Sequence, residues 1–110
     1  MNAQQISEVI LQQLGGNKFR AMTGAKDFVY GTDKAGNAFL RFKLHAGFAK
    51  PLAGKKTNMI TVTLTPADTY NITFGYVRGL DYKVLETVEG IYCDMLQDIF
   101  TSKTGLDTHL

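Results

Sequence analysis

One cysteine, two prolines and no tryptophan in 110 residues exclude several kinds of protein at the outset. A lone Cys93 cannot form an internal disulfide, so the chain must hold itself together by burial, which suits a reducing cytoplasm without requiring one. His45 and His109 are the only histidines, and neither has a partner at ligand spacing, so no metal site is expected. Cys93, beside Tyr92, reads as a small packing residue. No apolar run approaches the roughly 18 residues of a membrane span, and Met1 to Gln5 carry no basic segment leading into an apolar core. A soluble, unprocessed protein with no membrane partner is expected. Intrinsic disorder, collagen-like repeats and a coiled coil are excluded by a composition that is 45% hydrophobic and 20% charged. What is left is a single domain over residues 1–110, large enough to bury about two-thirds of the surface its unfolded form exposes.

Catalytic signatures are missing as well. There is no nucleophile elbow and no histidine-containing motif, and the pocket expected of a two-layer domain this size is small, so an enzyme and a cofactor are not expected. Gly15-Gly16-Asn17-Lys18 and Gly24-Ala25-Lys26 resemble phosphate-cradling loops only superficially, because such loops run from strand into helix. They read instead as a helix stop and a bulge. Asp68-Thr69-Tyr70 reads as a side-chain-stabilised turn, and Asp94 and Asp98 as a solvated helix face.

Charge is present but unevenly placed. Residues 18–65 hold nine Lys or Arg against Asp27 and Asp33, while both ends of the chain are acidic, so a net charge of +2 conceals a basic middle.

Periodicity divides the chain into three parts. Ile6, Val9, Ile10 and Leu14 recur at helical spacing, with Asn2 and Gln5 placed to cap the start and Gly15-Gly16 to end it. From residue 18 to 78 the period is two. Strands are predicted over residues 18–23 and 27–30, the latter two joined or broken by a bulge, then over 38–44, 58–65 and 70–77. Residues 46–57, with Gly47, Pro51, Gly54 and several lysines, read as a long loop. Val84, Val88, Ile91, Tyr92, Met95, Leu96 and Ile99 return to helical spacing. Asp81 caps that helix directly, or Thr87 caps it after an extended piece, while Lys103, Gly105 and Leu106 mark its end.

The sum is an α+β protein in two layers: an antiparallel sheet of about four or five strands with an N-terminal and a C-terminal helix packed on one face. Leu40, Phe42, Leu44, Ile60, Val62, Leu64, Ile72, Phe74 and Tyr76 should lie under the helices. Alternation then leaves Lys18, Arg20, Arg41, Lys43, Thr61, Thr63, Asn71 and Thr73 on the uncovered face, with Phe39 and Met59 among them. Any soluble sheet needs a polar outer face. A basic one carrying an aromatic also suits nucleic acid, since cations neutralise phosphates and a ring stacks on a base. The candidate nucleic-acid-binding residues are Lys18, Arg20, Arg41 and Lys43, assisted from the loop by Lys50, Lys55 and Lys56. The paired aromatics of an RRM sheet are absent, because only Phe39 clearly projects outward.

Several segments together carry a resemblance: Leu14-Gly15-Gly16-Asn17-Lys18-Phe19, Ala21-Met22-Thr23-Gly24-Ala25-Lys26, Asp68-Thr69-Tyr70, then Tyr92, Asp94, Leu96 and Phe100 before Thr104-Gly105-Leu106. In these the chain resembles a family of small, mostly uncharacterised proteins encoded by bacteriophages, prophages and other mobile elements. The resemblance implies a bacterial cytoplasmic setting and an accessory role, and it carries over no catalytic or binding residues. Two classes of function follow as expectations. One is nucleic-acid binding through the basic sheet face. The other is a protein-binding module that inhibits or modulates a host protein, or a structural homo-oligomer, either of which needs only a rigid fold and one complementary surface.

Overall fold

Helix α1 (Ala3–Leu14) begins where its cap dictates. The Asn2 side chain accepts the Gln5 backbone N–H at 2.9 Å, and the Gln5 side chain accepts the Asn2 N–H at 3.0 Å. The computed structural model describes residues 2–45 and 57–108. The loop predicted over 46–57 therefore lies almost wholly outside the described residues.

After α1 the chain departs from the sequence reading. Gly15 and Gly16, at φ 127° and 61°, redirect it into a second helix, α2 (Gly16–Thr23), where alternation predicts a strand. Phe19 and Thr23 stand four apart, both buried, and the Thr23 hydroxyl donates to the Phe19 carbonyl at 2.7 Å. Six residues reading Lys-Phe-Arg-Ala-Met-Thr fit one helical stripe as well as they fit a strand, and Gly24, left-handed at φ 69°, ends the helix.

Five strands follow: β1 (Lys26–Thr32), β2 (Ala38–Lys43), β3 (Met59–Leu64), β4 (Tyr70–Arg78) and β5 (Asp81–Ile91). They form one open antiparallel meander in chain order. The bulge expected at Gly24-Ala25-Lys26 within one strand from residue 18 to 30 is not there, because Gly24 ends α2; a different bulge lies inside β1, between Lys26 and Val29. β5 is the second correction, because its residues read as the start of the C-terminal helix. Two register slips explain the error. Glu86 pairs with Phe74 but Val84 with Gly75, so Leu85 is an extra residue; Val88 pairs with Ile72 but Ile91 with Tyr70, so a second extra residue falls at Glu89 and Gly90. Each insertion reverses the alternation. Val84, Val88 and Ile91 are thereby spaced four and three apart and imitate a helical stripe within a strand. Gly90, unwelcome in a helix, adopts φ 69° at the second bulge.

A 3-10 turn (Cys93–Met95) leads into α3 (Leu96–Thr104), which closes at Gly105 with φ 75° and a 2.8 Å bond from its N–H to the Thr101 carbonyl. Cys93 is exposed in this turn and does not serve as a packing residue.

All three helices cover the same sheet face. Leu40, Phe42, Leu44, Ile60, Val62, Ile72 and Phe74 are buried beneath them, and Leu64 is half-buried. At the centre, Phe42 of β2 meets Phe19 of α2 at 5.3 Å, Phe28 of β1 at 5.4 Å and Phe100 of α3 at 6.3 Å between ring centroids. One residue thus joins both layers. Glu86 of β5 pairs with Lys103 of α3, a partly exposed bridge that contributes little, of order 1 kcal/mol or less.

Tyr70 joins β4 to α1 by donating its hydroxyl to the Gln13 side chain. Burial pushes the Tyr70 phenol above its ordinary value of 10.0, and the negative charges of Cys93 and Asp68 add to that. The folded state therefore keeps the phenolic proton at pH values where the unfolded chain has lost it. Its contribution to stability is complete below pH 10 and declines as pH rises through the raised value. Tyr70→Phe should flatten the alkaline limb of the stability profile, measured by urea unfolding above about pH 9. An identical limb in both proteins would assign the pH dependence to other groups.

Candidate functional site

The helices leave one sheet face uncovered, and strand register arranges its side chains in rows. Lys26, Lys43, Met59, Gly75 and Val84 form one row from β1 to β5. Val29, Arg41, Thr61, Thr73 and Thr87 form the next. Gly31, Phe39, Thr63 and Asn71 form a third. Alternation also places Val77 and Tyr82, paired across β4 and β5, beyond the first row.

Arg41 is the best-held cation on this face. Its guanidinium carbon lies 5.1 Å from the Phe39 ring centroid, and its Nε donates to the Thr61 hydroxyl at 3.1 Å. A cation stacked on a ring and tied by one hydrogen bond keeps its remaining N–H donors free to point outward. Lys26 and Lys43 stand directly opposite each other across β1 and β2, both exposed, and among the described residues neither makes an ion pair. Like charges facing each other across a strand pair are destabilising. Among the described residues, alternation brings Glu89 to this face, beside the bulge at the far end of β5, and exposed Asp27 lies in the β1 bulge next to Lys26.

Two rings lie on glycines here. A Cβ on Gly31 would come within 3.0 Å of Phe39 Cζ, and one on Gly75 within 2.7 Å of Tyr82 Cε1. Each glycine lets the end of an aromatic side chain approach the backbone closely. Arg41, Met59, Val77 and Tyr82 enclose a depression of about 290 Å³.

Of the candidates named from sequence, Arg41 and Lys43 come together on the open face. Lys18 and Arg20 do not join them. Both are exposed on α2, in the helical layer, where the Arg20 guanidinium lies 5.1 Å from the ring of Phe28, a partner of the buried Phe42. Their expected place on the sheet face rested on reading residues 18–23 as a strand. Lys50, Lys55 and Lys56 lie outside the described residues. Lys26 and Tyr82 were missed: the bulge concealed the register of Lys26, and the helical reading of β5 removed Tyr82 from the sheet. The glycine at position 75 within a strand pattern was the available signal, since it marks a close approach.

Among the described residues, no group of three or more His, Cys, Asp or Glu side chains is placed to hold a metal ion, and no helix is long and apolar enough to cross a membrane. A scan against protein-family models finds no match, and searches of curated proteins and of solved structures find none either.

Proposed function

We propose that the chain is a non-enzymatic accessory protein, of the mobile-element kind its resemblance implies, which binds nucleic acid through the open sheet face. The observation that carries this reading is the facing pair Lys26 and Lys43, with Arg41 held one row away. Two lysines directly opposite each other, with no ion-pair partner among the described residues, carry an electrostatic cost that a phosphate bound between them would offset. Arg41 supplies directed donors for a second phosphate or a base edge. Glu89 lies at the opposite end of the face, beside the second bulge of β5.

Binding should therefore weaken steeply with salt. Each neutralised phosphate contributes a slope of about −0.9 in log K against log salt concentration on duplex DNA and about −0.7 on single strands. Lys26→Ala and Lys43→Ala should each reduce that slope by roughly one such increment, measured by fluorescence anisotropy across a salt series. A slope unchanged in both variants would move the phosphate contacts off this face. Exposed Val29 and Val84, at 54% and 53%, support a second reading in which a protein partner or another copy of the chain covers the same surface. Light scattering that shows a stable dimer dispersed by Val84→Lys would favour it.

A further inference from the structure

We infer that the depression bounded by Arg41, Met59, Val77 and Tyr82 receives an unpaired base, so that the ligand of the open face is a single strand. This inference rests on the nucleic-acid reading above and goes further in naming where a base sits.

The depression differs from an ordinary patch of solvated sheet in three respects. Its lining includes two apolar residues, Met59 and Val77, which flank Gly75, one across from it on β3 and the other two residues along β4. One side is Tyr82, whose hydroxyl end reaches over Gly75, where an added Cβ would come within 2.7 Å of Cε1 and 2.9 Å of the hydroxyl oxygen. The residue nevertheless remains 46% exposed, which leaves ring surface available to a ligand. The opposite side is Arg41, fixed by Phe39 and Thr61. Two apolar side chains, a partly exposed ring and a planar cation held by a ring contact and a hydrogen bond suit a flat ligand with a π surface and hydrogen-bond acceptors at its edge. A nucleobase has both properties.

The register of the lysines fits this placement. Lys43 is opposite Met59 in the register, and Lys26 is opposite Lys43, so the cationic row begins one strand from the depression. Adjacent strands are about 4.8 Å apart, which brings the lysines within a nucleotide's reach of a base resting on Met59. Bases within a duplex are stacked on both surfaces and cannot enter such a depression without being unpaired. The geometry therefore discriminates against duplex. Charge complementarity favours this occupant over a protein segment, since the flanking row is cationic.

The test uses the full chain with a fluorescein-labelled mixed-sequence oligonucleotide, as DNA and as RNA, each single-stranded and annealed to its complement. Anisotropy at low salt should show tighter binding to the single strands. Tyr82→Ala should weaken single-strand binding roughly 5- to 150-fold, as expected for loss of one stacked base, while leaving the weaker duplex binding unchanged. Tyr82→Phe should retain most of the affinity. Circular dichroism establishes that both variants fold, and Tyr82→Leu serves as a second apolar truncation if the alanine variant does not. Equal affinity for single strand and duplex, with Tyr82→Ala silent and Lys43→Ala weakening both, would overturn the base site and leave the nucleic-acid reading standing. Binding to none of the probes at low salt would overturn both, and a Tyr82-dependent dimer in the same samples would assign the depression to self-association.

Discussion

Phe42→Ala is expected to lower the free energy of unfolding by about 3–5 kcal/mol, the cost of truncating a fully buried aromatic and leaving a cavity. Phe42 is completely buried, and its ring touches those of Phe19, Phe28 and Phe100. Those partners come from α2, β1 and α3, so the void would lie where the helical layer meets the sheet. Its walls belong to both layers, so the surroundings relax into it only in part. Because the chain has no tryptophan, urea unfolding is best followed by circular dichroism. With a denaturant slope of about 1–3 kcal/mol per molar, the midpoint should fall by at least about 1 M. Phe42→Leu, which leaves a smaller void, should lose visibly less. A midpoint equal to that of the parent protein would show that this cluster is not the centre of the core.

Gly15→Ala is expected to cost about 2–5 kcal/mol for two separable reasons. At φ 127° the backbone lies where side chains are strained, and a Cβ there would come within 3.1 Å of both Phe19 Cβ and the Thr108 carbonyl oxygen. Gly24→Ala is the matched control. Gly24 is also left-handed, at φ 69°, but nothing lies within 4 Å of an added Cβ, so that substitution should cost only about 1–2 kcal/mol. The difference between the two variants measures the close approach of α1, α2 and the C-terminal segment at Gly15. Equal losses would mean that backbone conformation accounts for the whole effect.

Gly15 also illustrates how far local sequence can be read. A Gly-Gly pair after an amphipathic stripe ends a helix, and α1 does end there. That the next residues form a second helix depends on Phe19 finding Phe42 and Phe100, residues more than twenty and eighty positions away. The strands β2, β3 and β4 were legible because each alternates without interruption over six residues or more and is bounded by turn residues. β5 was not, since two bulges erase its period.

The candidate site divides in the same way. Arg41, Lys43, Phe39 and Met59 were legible on the open face because their strands have one register that buries Leu40, Phe42 and Ile60, and a shift of one residue would reverse them all. Lys26 and Tyr82 were not, because each lies on an edge strand whose bulge sets the phase of its side chains.

Sequence by itself determined the class of the fold, the central strands, the helix caps at Asn2 and Gly105 and the placement of Arg41 and Lys43 on the uncovered face, all of which follow from spacing over a few residues. Tertiary structure alone decided that Lys26 faces Lys43, that Lys18 and Arg20 belong to the helical layer, and that Tyr82 lies over Gly75 beside Arg41. Those relations depend on pairing across strands and on where an extra residue is accommodated, and neither leaves a periodic trace in the chain that contains it.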